Sequence, residues 1–488
     1  MLSIDWLERS TILDIQQAML AQKFTSKQLV QFYLNQIADH NHRVNAILEI
    51  NPEAIMIAES LDRERQMKGA RSSLHGIPIL LKDNINTGDH MHTSAGSQAL
   101  ATSYGKEDAF LVKKLRHAGA VLLGKTNMTE WANFMSDKMP NGYSSRGGQV
   151  LNPYGPGTLD VGGSSSGSAA AVACHFATAA IGTETNGSIL SPSSSNAGVG
   201  LKPTVGSISR SGIIPISFSQ DTAGPMTRNV TDAAILLSHL TGEDPMDPAT
   251  HVTPTQQDYT PYLLPMLYEH LRIGIVQKGY YDTMHMEEQE RLTKASEDLK
   301  EMGCTIVKID QICSDQEQLE ENYQVLRYEF KSGVNRYLAK ETSASFGDLQ
   351  SIIHYYQQNP LTLPYGQSVL LEANETSGSL TEAQYLHSRV QDISQAKEKG
   401  LDLLMETEKL DVLLFVGSYG STLPAKAGYP SITVPAGFTS NKKPFGLTFT
   451  GKAFSEPQLI KLAYAFEQHT RQRKLPEWLT NTQTTQQF

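Results

Sequence analysis

Two glycine–serine stretches and one lysine stand out as residues able to do chemistry. The stretches are Gly162-Gly163-Ser164-Ser165-Ser166-Gly167-Ser168 and Gly182-Thr183-Glu184-Thr185-Asn186-Gly187-Ser188. The lysine, Lys82, closes the apolar run Gly76-Ile77-Pro78-Ile79-Leu80-Leu81. A serine hydroxyl becomes a useful nucleophile only when a neighbouring base takes its proton. A lysine can be that base when burial beside an apolar strand disfavours its ammonium form. Lys82, Ser164 and Ser188 therefore form one candidate set for nucleophilic catalysis. Turns, helix caps and close backbone crossings are the rival roles for such loops, as a surface ion pair is for Lys82.

The elements around these residues decide whether they meet. Gly76–Leu81 reads as a strand buried on both sides, and Val121-Leu122-Leu123-Gly124 as a second, after a helical stretch from Ala109 to His117. Ala169 to Ala180 reads as a helix long enough to bring the second serine loop back to the first. The first 65 or so residues read as helices, with hydroxyl residues before apolar repeats at Ser10-Thr11 and Thr25-Ser26. Further strands are expected at Ile273–Val276, Cys304–Ile309, Asp411–Val416 and Ser431–Val434, with a helix over Glu287–Met302 and a mainly helical, polar stretch over 315–405. Strands interleaved with helices predict an α/β architecture, its central sheet covered on both faces.

Composition narrows the function class. A hydrophobic fraction of 39% with 19% charged residues is that of a globular enzyme. The net charge of −10 and the lack of basic clusters argue against a nucleic-acid surface. No apolar run is long enough to span a bilayer, and Met1–Leu20 is too acidic for a signal peptide, so a cytoplasmic location is expected. Three cysteines do not make a disulfide framework. No phosphate-binding glycine loop is present, and His90 and His92 lack further ligands at metal spacing. No cofactor and no metal are expected. Gly163-Ser164-Ser165-Ser166-Gly167 has the letters of a nucleophile elbow but no evident histidine partner.

The chain resembles the amidase signature family. The resemblance rests on the two serine loops, on Gly200-Leu201-Lys202-Pro203-Thr204-Val205-Gly206, and on Asp221-Thr222-Ala223-Gly224-Pro225-Met226. It extends upstream to His75–Asn84 and Gly124-Lys125-Thr126-Asn127-Met128, and downstream to Gly428–Pro435. It implies an amidase-signature fold with a central mixed β-sheet, and hydrolysis of carboxamides through a serine acyl-enzyme. By the same likeness Lys82 is the base, Ser164 the bridging serine after a cis peptide bond from Gly163, and Ser188 the nucleophile. The backbone N–H groups of Thr185, Asn186, Gly187 and Ser188 would form the oxyanion hole, with Gly163 and Ser165 supporting the loop. Glu184, Asn186 and Leu190 replace the family's frequent Asp, Gly and Arg. Together with Gly212–Asp221 and Tyr143–Gln149, placed at the entrance, they liken the chain to bacterial peptide amidases, which remove the C-terminal amide of peptides. A glutamine-hydrolysing subunit of an amidotransferase complex and a catalytically silent binding protein are the alternatives. The expected organisation is a helical segment 1–65 packed on one domain, 66–479, with core motifs at 75–245 and 410–470 and a variable helical region over about 250–405. A frayed tail, 480–488, follows. A small-molecule or peptide amide is the expected partner, and the chain is expected to work as a monomer or homodimer.

Overall fold

The computed structural model describes residues 2–252, 258–265, 271–313, 316, 319 and 322–481. The chain opens with helices α1 (Ile4–Arg9), α2 (Ile12–Leu20) and α3 (Ser26–Val44), the last two entered through capping boxes at Thr11 and Thr25. The reading of this segment as helices alone misses a strand, β1 (Ile47–Ile50), which precedes α4 (Ala54–Lys68). Four residues between two helices carry too little alternation to announce a strand.

The remaining sheet strands are β2 (Pro78–Lys82), β3 (Val121–Thr126), β6 (Ala179–Glu184), β7 (Val199–Lys202), β8 (Thr222–Thr227), β9 (Arg272–Val276), β10 (Thr305–Ile309), β11 (Val412–Val416), β12 (Ser431–Phe438) and β13 (Pro444–Thr450). A separate hairpin pairs β4 (Tyr143–Ser144) with β5 (Gly148–Gln149). The main sheet has 11 strands in the order β1-β3-β2-β6-β8-β7-β12-β13-β11-β9-β10. It is mixed. β2 runs parallel to both β3 and β6, while β6, β8 and β7 alternate in direction. Every residue of β2, β3, β6, β7, β8, β11 and β13 is buried. Successive strand side chains point to opposite faces, so both faces of the sheet are covered.

The expected helix over Ala169–Ala180 is shorter than its composition suggests. The helix that forms covers Ser166–Ala173, His175 takes a left-handed backbone (φ 56°), and Ala179 to Glu184 is β6 in the middle of the sheet. Alanine favours helix in isolation, but pairing with β2 and β8 outweighs that preference here. Strands β7 and β8 also escape the sequence pattern, because glycine, proline and threonine replace the usual branched residues.

Beyond the sheet, the helices Gln324–Lys340, Leu349–Gln358 and Ser368–Asn374 form a second apolar cluster. Phe330, Val334, Ile353 and Tyr356 pack there with Met128, Trp131 and Phe134, from the segment after β3, and with Ile214 and Ile216, from the connection between β7 and β8. The Thr/Gln-rich tail expected over 480–488 lies outside the described residues from position 482 on.

Candidate active site

Lys82 and Thr183 lie toward the C-terminal ends of two neighbouring parallel strands, β2 and β6. Ligands in α/β sheets gather beyond such strand ends. Lys82 has no exposed surface. Its Nζ lies 2.8 Å from Ser164 Oγ, 3.1 Å from the Thr183 carbonyl oxygen and 3.0 Å from Thr183 Oγ1. Burial pushes the Lys82 ammonium down to about 7, while the Glu184 and Asp221 carboxylates pull the other way. A neutral amine has two N–H donors and one lone pair. The two Thr183 oxygens match the donors, and the Ser164 hydroxyl is then the group able to donate to the lone pair.

Ser164 follows a cis peptide bond from Gly163. A Cβ on Gly163 would fall 2.5 Å from Asn141 Oδ1 and 2.7 Å from Thr129 Oγ1, so both side chains would have to shift to admit one. Ser165 is the junction between the two loops. Its N–H donates to the Ser188 carbonyl (3.2 Å) and its hydroxyl to the Thr183 carbonyl (3.1 Å). Ser166 bonds the Gly162 carbonyl, and Ser168 bonds the Thr126 hydroxyl across the sheet.

The first of the Ser165 bonds ties Ser188 to the residue after Ser164; Ser188 retains 6% exposure, whereas Lys82 and Ser164 have none. Within the described residues its hydroxyl makes no hydrogen bond, so the structure joins Lys82 to Ser164 directly and leaves the Ser188 hydroxyl available. The loop before it is shaped by Glu184. The two oxygens of that carboxylate accept the N–H groups of Gly187 (2.8 Å), Ile189 (2.7 Å) and Leu190 (3.0 Å). The Gly187 N–H is thus engaged by Glu184. Those of Thr185, Asn186 and Ser188 make no hydrogen bond among the described residues. Gly187 itself has φ +76°, and a Cβ there would press to 3.2 Å from Ser421 Oγ.

Several participants carry no local sequence signal. Asn186 Oδ1 accepts the Ser421 hydroxyl (2.7 Å) and its Nδ2 donates to Thr422 Oγ1 (3.0 Å), tying the loop to a segment more than 230 positions away. The Thr185 hydroxyl donates to Asp221 (2.5 Å), whose other oxygen accepts the N–H groups of Ile216 and Ser217. Burial pushes Asp221 up to about 6. Asn84 Nδ2 donates to Thr183 Oγ1 (2.9 Å). Asn84 and Thr185 lie just past the ends of β2 and β6, in the turns that follow Lys82 and Glu184.

At the expected entrance, Ser145 bonds Glu130 through its N–H and its hydroxyl, and Arg146 pairs with Asp83 and Glu49. Arg146 is therefore a brace beneath Lys82's neighbour. Tyr143 alone of this hairpin faces a ring on the far side, that of Tyr365 at 4.9 Å. His90 and His92 face different carboxylates, Glu53 and Glu49. Among the described residues no helix is long and apolar enough to cross a membrane.

Comparison with known proteins gives a consistent result. The Amidase family profile matches residues 28–418. The crystal structure of a peptide amidase from Stenotrophomonas maltophilia is 42% identical, with a TM-score of 0.91 over 96% of this chain and 98% of that one. A probable amidase of Arabidopsis thaliana is 39% identical over 97% of this chain and 92% of its own length. A glutamyl-tRNA(Gln) amidotransferase subunit from Alkaliphilus metalliredigens is 30% identical over 95% and 96% respectively.

Proposed function

The chain belongs to the amidase family and is an amide-hydrolysing enzyme, and from that premise we propose that Ser188, Ser164 and Lys82 carry the reaction as nucleophile, relay and base. The observation that carries this reading is the contact of a buried, pKa-depressed Lys82 amine with the Ser164 hydroxyl at 2.8 Å. Neutral Lys82 takes the Ser164 proton as Ser164 takes that of Ser188. Ser188 Oγ then bonds the amide carbonyl carbon. The tetrahedral oxyanion is met by backbone N–H groups, for which Thr185, Asn186 and Ser188 are the unengaged donors, with Gly187 providing the turn. The relay runs backwards to protonate the nitrogen as the C–N bond breaks. Water then attacks the acyl-enzyme by the same route, and no step calls on a cofactor or metal.

The substrate we propose is the C-terminal carboxamide of a peptide, on the strength of the 42% identity to a peptide amidase. Its apolar acyl side would rest on the wall that includes Trp131 and Phe134. One apolar core takes residues from Ile4 to Cys304 and from Val412 to Leu479, which supports 1–65 packing on the same domain as the core motifs at 75–245 and 410–470. We place the enzyme in the cytoplasm on its sparse cysteines, and expect it to work as a monomer or homodimer.

The test is ammonia release from peptide amides, aliphatic amides, aryl amides and glutamine by wild type and Ser188→Ala. Release that depends on Ser188, strongest with peptide amides, supports the whole reading. Equal release by both proteins overturns the assignment of the nucleophile. The 30% relative keeps a second reading, a glutamine-hydrolysing subunit. Turnover of peptide amides by the isolated chain, with glutamine untouched, would exclude it.

A further inference from the structure

A small, partly open cavity lies against the Lys82 partner Thr183, and its wall includes Asn84, Ala132, Thr185, Ile214 and Asp221. Measured to the centre of a water-sized sphere, its free volume is about 20 Å³, room for one molecule of that size and little more. The polar groups on its wall are unevenly satisfied. Asn84 is 3% exposed, and its Oδ1 is buried without a hydrogen-bond partner. The orientation of this amide is set by its other end, since Nδ2 faces Thr183 Oγ1 at 2.9 Å and the Ile214 carbonyl at 3.4 Å. The Ile214 carbonyl can only accept, so the amide nitrogen belongs there and the oxygen is the free end. Thr183 Oγ1 receives both Asn84 Nδ2 and Lys82 Nζ, which leaves its own hydrogen to donate.

A buried acceptor without a partner costs about 1–3 kcal/mol, so this arrangement suits a visitor. The visitor must offer an N–H or O–H to Asn84 and a lone pair to the Thr183 hydroxyl. It must also be about the size of water. Ammonia meets all three conditions, and Thr183 touches the very amine that manages the leaving-group proton.

Resting on the amidase reading above, we propose that this cavity is the leaving-group subsite, which receives ammonia between Asn84 Oδ1 and the Thr183 hydroxyl. In the forward direction the Ser188 oxygen–carbon bond forms and the carbon–nitrogen bond breaks. The nitrogen departs as ammonia with the proton returned through Ser164. In reverse, ammonia attacks the acyl-enzyme carbonyl, and the Ser188 oxygen leaves and recovers a proton. The close apolar wall of Ala132 and Ile214 then restricts the enzyme to primary amides.

The test generates the acyl-enzyme from an ester of a good acyl group in the presence of ammonia. It then measures amide formed against acid formed. Both products come from one acyl-enzyme pool, so a general loss of activity cancels from the ratio. Asn84→Leu should lower amide-to-acid partitioning about threefold to tenfold, the worth of one hydrogen bond. An unchanged ratio overturns the proposal, and a higher one means that Asn84 holds the hydrolytic water instead. Wild type supplies an independent arm should Asn84→Leu not fold. It should cleave a primary amide at least about 100-fold faster than the N-methylamide of the same acyl group, and Ile214→Ala should narrow that gap. Equal rates with the two amides in wild type defeat the idea. Ester turnover that persists in Ser188→Ala would instead count against the underlying amidase assignment, so the two failures are distinguishable.

Discussion

Lys82 and Lys125 stand on neighbouring parallel strands, and their surroundings differ in one chemical respect. Both are wholly buried, and desolvation pushes both ammonium groups down, to about 7 and about 8. Lys82 lies in register with Thr126, and Lys125 with Leu81, so the two side chains leave on opposite faces of the sheet. On one face, Lys82 meets two oxygens of Thr183 and the hydroxyl of Ser164. On the other, Lys125 donates to the Ile85 carbonyl (2.5 Å) and Thr93 Oγ1 (2.8 Å), with Asp83 as the leading carboxylate that favours its charge. Burial alone does not make a base. Lys82 has a neighbour with a proton to give that leads on to a loop with some exposure, whereas Lys125 ties β3 to the loop that follows β2.

The largest test of this difference removes the chemistry on the Ser188 side. Ser188→Ala and Lys82→Met should each lower ammonia release by about 10³ or more, since members of a nucleophile–base relay fail as a unit. Lys82→Met should do so while gaining stability. The Lys82 pKa falls from near 10.5 to about 7 in the folded protein. Between these values the unfolded chain binds the extra proton, so wild-type stability rises with pH over that window. The cost of holding a buried ammonium is therefore fully present below pH 7. The variant should exceed wild type most at pH 6, with the advantage shrinking toward pH 10, as thermal unfolding at several pH values would reveal. A Lys82→Met protein less stable than wild type at pH 6 would mean that the amine's three partners outweigh its desolvation.

Glu184 comes next. Its two oxygens accept three backbone N–H groups around Ser188, and hydrogen bonds to a charged group contribute about 1.5–3 kcal/mol each. Glu184→Gln turns one of those acceptors into a donor facing a donor. We expect kcat to fall about 10- to 100-fold with KM nearly unchanged, because the carboxylate shapes the loop and touches no part of the acyl chain. A change confined to KM would place Glu184 in substrate binding.

How much of this was legible differs between the same two places. Lys82, Ser164 and Ser188 could be grouped from residue type and strand position, and the resemblance added their roles. Glu184, Thr183 and Asn84 were visible as letters, but their function depends on where β6 and the turn after β2 place them. Strand β6 was hidden because the helix expected over Ala169–Ala180 runs into its first two residues. Ser421 and Thr422 had no local pattern at all, because their contact with Asn186 is made by the fold and not by spacing. The sheet was legible where Val, Ile and Leu cluster, as in β3 and β11. It was illegible in β7 and β8, whose Gly200, Gly224 and Pro225 sit in central strands. There the constraint is close backbone approach: a Cβ on Gly224 would lie 2.1 Å from the Leu201 carbonyl oxygen.

The smallest expected effect is the sharpest control. If Lys82 is the base, kcat/KM for a peptide amide should rise with pH through a midpoint near 7, as the free enzyme loses the Lys82 proton. Lys125→Met should leave that midpoint where it is and change turnover per folded molecule less than about threefold. Its effect on stability is the difference of two opposed terms. Removing the buried ammonium relieves its desolvation, and losing its N–H groups leaves the Ile85 carbonyl with only the long 3.4 Å bond from the Thr93 hydroxyl, a loss of about 1–3 kcal/mol. The melting temperature should therefore move only modestly, while the pH profile stays still. Were the midpoint to shift in Lys125→Met but persist in a residually active Lys82→Met, the titrating group would lie on the other face of the sheet, and the roles assigned to the two lysines would have to be exchanged.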